Sequence, residues 1–170
     1  MNQKHFFIIG FILLLISSVI MIVVSEDKLN YKQQVAKQLA SMPALPVEPV
    51  GKAKNTGWQN TTTPTVILFF NSECGHCQNE ATAIQERLED FSNANLLFVS
   101  DEEATQIEEF SKTYKLDNKL NIWWLKMRPA DVYNTFGNIG VPHIWVYNKE
   151  NKLVKEFKGE TKVEVLLEWL

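Results

Sequence analysis

Hydrophobic and polar positions divide this chain into three stretches of different character. Phe6 to Val24 reads FFIIGFILLLISSVIMIVV, with 16 of 19 positions apolar and none charged. As a helix it would span roughly 28 Å, close to the ~30 Å hydrocarbon core of a bilayer, and it is apolar all round. The next stretch, EDKLNYKQQVAKQLAS (26–41), carries only a thin apolar stripe of Leu29, Val35 and Leu39 and reads as a solvated helical stalk. MPALPVEPV comes next, with prolines at 43, 46 and 49, a spacing that predicts an extended, stiff spacer. GKAKNTGWQNTTT is polar and reads as loop, with Trp58 tucked against the domain.

Beyond residue 58 the pattern alternates. PTVILFF (64–70) is a short continuous apolar run, as in a strand buried on both faces. Cys77, Ala81, Ile84, Leu88 and Phe91 then recur at helical spacing. Leu96–Val99 predicts a second buried strand, and Asp101–Tyr114 a helix with Ile107, Phe110 and Tyr114 inward. NIWWLKM (121–127) fits either element. Ala130–Phe136 reads as a short helix stopped by Gly137, and 143–147 with 153–157 as a hairpin around NKEN. Thr161 is placed to cap a last amphipathic helix bearing Val163, Leu166, Leu167 and Leu170. This order predicts an α/β fold with a mixed central sheet flanked by helices and preceded by an N-terminal transmembrane helix.

Composition sharpens the division. The chain has 170 residues, is 45% hydrophobic and has a net charge of −3. Without residues 1–24 the apolar fraction falls to about 41%, ordinary for a soluble domain. The expected organisation is therefore a membrane anchor at 1–24, a juxtamembrane helix and Pro-rich linker at 25–57, and a domain at 58–170. Lys4 precedes the apolar run and Glu26 and Asp27 come after it. That bias predicts a single pass through the cytoplasmic membrane, N-terminus inside, with the domain on the extracytoplasmic (periplasmic) side. No Ala-x-Ala pattern succeeds the run, which favours an uncleaved anchor over a cleaved signal peptide; both deliver the domain to the same side. The absence of a basic excess argues against a nucleic-acid partner, and two cysteines cannot build a multi-disulfide scaffold.

Those cysteines lie together as Cys74-Gly75-His76-Cys77, after a buried strand and at the start of a helix. Unpaired N–H groups and the helix dipole favour negative charge there, so a thiolate at Cys74 makes a good attacking group. Cys77, one turn in, faces the core and is placed to resolve a mixed disulfide. Gly75 and His76 occupy the positions that tune the pair, a positive His76 stabilising the reduced form. The competing readings are a Cys₂His₂ metal site completed by His76 and His143, and a structural disulfide; the first has no second CxxC and the second would close a very short loop.

From about residue 62 the chain resembles the thioredoxin superfamily, and more narrowly the TlpA/ResA-like membrane-anchored thiol–disulfide oxidoreductases. The residues that carry the resemblance are VILFF, CGHC, Gly140-Val141-Pro142 and the terminal hairpin and helix. It implies a thioredoxin-like fold and a cis peptide at Pro142 facing the redox pair, with the Val141 backbone available to a substrate strand. It also implies that Glu80, three residues after Cys77 on the same helix side, accepts the Cys77 proton; the bland alternative is a solvated helix glutamate. The chain departs from the pattern at Leu68, where thioredoxins have a buried aspartate, at Glu73 in place of tryptophan, and at His143 in place of threonine.

The resulting expectation is an extracytoplasmic thiol–disulfide oxidoreductase, more a reductase than an oxidase or isomerase, although CGHC itself resembles the dipeptide of protein disulfide isomerase. It would need no cofactor beyond the Cys74–Cys77 disulfide and no metal. Its partners would be protein thiols and disulfides and a membrane thiol donor of electrons. The alternative from another class is a non-catalytic copper carrier of related fold, whose cysteines are usually spaced CxxxC.

Overall fold

The apolar runs form the centre of a six-stranded sheet. The structure, a computed structural model, describes residues 3–51, 57–60 and 62–170, with the side chains of residues 3–11, 14 and 60 outside that set. The part of the expected loop at 52–56 and 61 therefore lies outside the described residues. The chain divides into two compact units, one up to Lys37 and one from Gln38 to Leu170.

The first unit is helical. α1 runs unbroken over Gln3–Leu39, so the expected anchor and the expected juxtamembrane helix are one element. No glycine or proline lies between Val24 and Leu39 to interrupt it. Ile12, Leu13, Leu15, Ile16, Val19, Ile20 and Met21 are all exposed on it. Among the described residues no helix is long and apolar enough to cross a membrane.

In the second unit the strands are β1 (Val47–Pro49), β2 (Thr65–Phe69), β3 (Asn95–Ser100), β4 (Ile122–Met127), β5 (His143–Tyr147) and β6 (Leu153–Lys158). The helices are α2 (Gly75–Glu86), α3 (Ala104–Thr113), α4 (Pro129–Phe136) and α5 (Val163–Leu167). The sheet order is β1-β4-β3-β2-β5-β6. β2, β3 and β4 are parallel, their connections carrying α2 and α3, while β1, β5 and β6 pair antiparallel. Strand alternation splits the core. Val66, Leu68, Phe70, Leu96, Phe98, Ile122, Trp124, Ile144 and Val146 face one way, against Cys77, Ala81 and Ile84 of α2, Ile107 and Phe110 of α3, and Val163 and Leu166 of α5. On the other face Phe136 of α4 stacks on Trp145 at 4.4 Å.

Five sequence expectations change. The Pro-rich segment is no spacer: Val47, Glu48 and Pro49 pair with Met127, Lys126 and Leu125, and Leu45 and Val50 are buried. An edge strand tolerates these prolines because one side of it is asked for no N–H. Folded structure consequently starts well before residue 58, with Tyr147 Oη donating to the Leu39 carbonyl at 3.2 Å. Leu88 and Phe91 belong to a separate 3₁₀ turn (Leu88–Phe91), not to α2. α3 starts at Ala104, where Glu103 and Gln106 form a capping box. α5 is capped at Lys162 without a side-chain bond and ends at Leu167, leaving Leu170 exposed; Thr161 serves another purpose. The ambiguous NIWWLKM is β4, Gly137 ends α4 at φ 79°, and Trp58 is buried as expected.

Candidate active site

β2 ends inside the core and hands the chain to α2 through Asn71–Glu73. Cys74 is the N-cap residue of α2, half-buried, with its carbonyl accepting from the Gln78 N–H at 3.0 Å. Cys77 is buried at 1% exposure and faces the core with Ala81 and Ile84. No disulfide links the two sulfurs in this structure. The Cys74 thiol points at the Val141 carbonyl, 3.8 Å away. The Val141–Pro142 peptide is cis, as the resemblance implied. Gly75 is exposed, and a Cβ built on it would meet nothing within 4 Å, so the surface beside Cys74 is open.

Burial pushes the Cys77 thiol up to about 12. A backbone hydrogen bond from Asn71 works against this, while the Cys74 thiol and the Glu80 carboxyl add to it. Glu80 is no solvated glutamate: it is 1% exposed. Its Oε2 accepts the Thr161 N–H at 2.7 Å, and its Oε1 is buried without a hydrogen-bond partner. Burial raises this carboxyl to about 7, against the lowering by Thr161, and Glu160 adds a smaller rise. Leu68, where an aspartate would stand, is an apolar core residue, so the buried carboxyl at this site comes from the helix and not from the strand.

Gly159–Thr161, between β6 and α5, contributes four contacts that no local pattern announced. At φ 107°, Gly159 turns the chain so that its N–H donates to the Pro142 carbonyl at 2.9 Å. Glu160 Oε2 pairs with His76 Nδ1 at 2.7 Å and accepts from Asn79 Nδ2 at 3.3 Å. The imidazole expected to favour a Cys74 thiolate is thus paired with a carboxylate, and the same bonds hold the Glu160 carboxyl below its usual range. Thr161 supplies its N–H to Glu80 in place of a helix cap. Between this loop and α2 lies a groove of about 960 Å³ lined by His76, Asn79, Glu80, Val141, Pro142 and Glu160, among others.

Glu73 and His143 are the other two departures from the family pattern. Glu73 is exposed, its N–H held by Asn71 Oδ1 at 3.0 Å. His143 begins β5 on the face opposite Cys77, stacked on Trp145 at 4.2 Å with Nε2 2.7 Å from Glu156 Oε1; burial lowers it. Among the described residues no group of three or more His, Cys, Asp or Glu is placed to hold a metal.

Residues 45–156 match the AhpC/TSA family. No curated protein matches the chain by sequence. Among solved structures, StoA from Bacillus subtilis superposes with a TM-score of 0.55 at 22% identity, over 75% of this chain and 98% of that one. A secreted Mycobacterium tuberculosis disulfide oxidoreductase homologous to E. coli DsbE gives 0.55 at 13% identity, over 70% and 89%. A thioredoxin-like protein from Aeropyrum pernix gives 0.60 at 9% identity, over 86% and 99%. These likenesses establish the thioredoxin-like fold.

Proposed function

The chain belongs to the AhpC/TSA family as a thioredoxin-like oxidoreductase, and from that premise we propose that it reduces disulfides of other proteins through Cys74 and Cys77. The Cys74 thiolate attacks a substrate disulfide; one substrate sulfur leaves as a thiolate and takes a proton from water. Cys77 then gives its proton to Glu80 Oε1 and attacks the Cys74 sulfur. The second substrate sulfur leaves as a thiolate and takes a proton from water, Glu80 gives the Cys77 proton back to solvent, and the Cys74–Cys77 disulfide remains. Two electrons and two protons pass to the substrate.

The observation that carries this reading is the buried, unpartnered Glu80 Oε1 beside a buried thiol. A thiol raised to about 12 cannot resolve a mixed disulfide quickly at neutral pH without a base. A carboxyl poised at about 7 is close to the optimum for taking that proton. Two of the influences that raise Cys77 come from the Cys74 thiol, and they vanish once Cys74 is bonded to substrate. Val141, Pro142 and the open surface at Gly75 are where the substrate backbone would lie. The reductase direction is supported by the pairing of His76 with Glu160, whose carboxylate offsets the positive charge that would otherwise favour the reduced form.

We further propose that the exposed apolar face of α1 anchors the chain in the cytoplasmic membrane, with the oxidoreductase domain on the extracytoplasmic side and a membrane thiol protein returning its electrons. The charge pattern around residues 6–24 and the exposed Ile12, Leu13, Leu15, Ile16, Val19, Ile20 and Met21 support this. Cys77→Ser tests the function directly. This variant should hold substrate proteins on Cys74 as mixed disulfides released by reductant, and capture of none would sink the exchange mechanism. A reduction potential near ~−180 mV for the wild-type pair would instead favour an isomerase or oxidase.

A further inference from the structure

The three residues that join β2 to α2 are clamped by a side chain thirty positions away. Ser72 donates its N–H to Glu102 Oε2 at 2.7 Å and its hydroxyl to Glu102 Oε1 at 2.6 Å. The Ser100 hydroxyl donates to the same Oε2 at 3.0 Å, and the Glu102 N–H donates back to Ser100 Oγ at 3.2 Å. The half-buried carboxylate is thereby fixed to the end of β3, a buried central strand. From the other side Gln78 Nε2 of α2 donates to the Ser72 carbonyl at 2.9 Å. Every polar group of Ser72 is therefore engaged, two of them by Glu102.

What Ser72 fixes is its neighbour. The Asn71 carbonyl accepts the Cys74 N–H at 3.2 Å, and its Oδ1 accepts the Glu73 N–H at 3.0 Å. The Asn71 backbone also makes the hydrogen bond to Cys77 that offsets part of the burial of that thiol. A backbone bond to a developing thiolate is charge-assisted and depends steeply on distance and angle. Free rotation at Ser72 would degrade it.

We propose that Glu102 is a positioning residue for the resolving step, holding Ser72 so that the Asn71 backbone stays aimed at Cys77. This rests on the reading of Cys77 as the resolving thiol. Glu102 touches neither sulfur and acts only through Ser72. Its charge alone would act in the opposite sense, since a nearby carboxylate disfavours a thiolate.

That opposition of sign supplies the test. The reduced full-length chain is mixed with a chromogenic aromatic disulfide. Cys74 displaces one coloured thiolate and forms a mixed disulfide; Cys77 then displaces a second and leaves the Cys74–Cys77 disulfide. Stopped-flow absorbance separates the two steps. Glu102→Ala should slow the second release by about tenfold and move its pH profile about one unit upward, with the first release within about twofold of wild type. Glu102→Gln keeps an oxygen for the Ser72 N–H and should recover most of the rate. Faster second release in both variants would show that charge governs, and unchanged release in both would show that the clamp is idle; each overturns the proposal. Should Glu102→Ala fail to fold, Ser72→Ala removes the hydroxyl bond alone and should slow the second release by about threefold, an unchanged rate again overturning it. A wild-type chain that releases only one thiolate would refute the resolving role of Cys77 itself, a separate outcome.

Discussion

Replacing Glu80 by glutamine should alter how stability depends on pH more than it alters stability at any one pH. In the wild-type chain burial moves the carboxyl from 4.5 to about 7. Between those values the folded chain still holds a proton that the unfolded chain has released. Stability therefore falls as pH rises through this window, and above about 7 the penalty is complete. At 1.36 kcal/mol per pH unit it amounts to about 3 kcal/mol. Glutamine has nearly the same shape and no charge. Its oxygen must still accept the Thr161 N–H, which leaves its NH₂ group without a partner. That costs ~1–3 kcal/mol, but equally at every pH. The assay is urea unfolding of the reduced full-length chain at pH 4 and pH 8, monitored by fluorescence of the buried tryptophans, Trp124 and Trp145 among them. From pH 4 to pH 8 the Glu80→Gln chain should gain about 3 kcal/mol relative to wild type, a relative shift of roughly 1–3 M in urea midpoint. A separation between the two chains that stays constant from pH 4 to pH 8 would refute the raised carboxyl, and with it the base assigned to Cys77.

Three further outcomes are expected. Glu160→Gln releases His76 from its exposed pair, so the Cys74–Cys77 equilibrium in a glutathione redox buffer should move about two- to fivefold toward the reduced form; a move toward the disulfide would contradict the assigned direction. His143→Ala should leave thiol–disulfide exchange within about twofold of wild type, because its ring lies with Trp145 and Glu156; a large loss in disulfide turnover would place His143 in the site after all. Phe70→Ala removes a fully buried ring that meets Phe98, Phe110 and Trp124, and chemical denaturation should show a loss of ~3–5 kcal/mol.

The part of the site that was legible is the part that is local. A buried strand, a turn, two cysteines one helical turn apart and a glutamate three residues later all sit within 64–80, where periodicity alone fixes which side chains share a face. The hairpin was legible because the polar NKEN separates an apolar run, 143–147, from a second strand-like run, 153–157. β4 was not, because six apolar-rich residues suit a strand or a buried helix equally, and its parallel pairing with β3 decides the matter. β1 was misread because proline spacing describes an isolated segment, whereas pairing with β4 supplies its partner. The continuity of α1 could have been read from the lack of any helix breaker. Glu102, Glu160 and Thr161 had no such signal: they reach Ser72, His76 and Glu80 across 30, 84 and 81 residues, and only the assembled sheet brings them there.

The strand order has a consequence for how copies of this protein meet. The outermost strands are β1 and β6. β1 presents three residues, one of them Pro49, which has no N–H to offer. β6 carries Lys155, Glu156 and Lys158 within six residues, a density of charge that a second copy of the same strand could shed its water from only at a cost. Both rims are thus poor templates for a growing stack of sheets. The function proposed above, contact with the disulfides of other proteins, needs that resistance: it would let the chain engage their backbones beside Cys74 without being recruited into their aggregates.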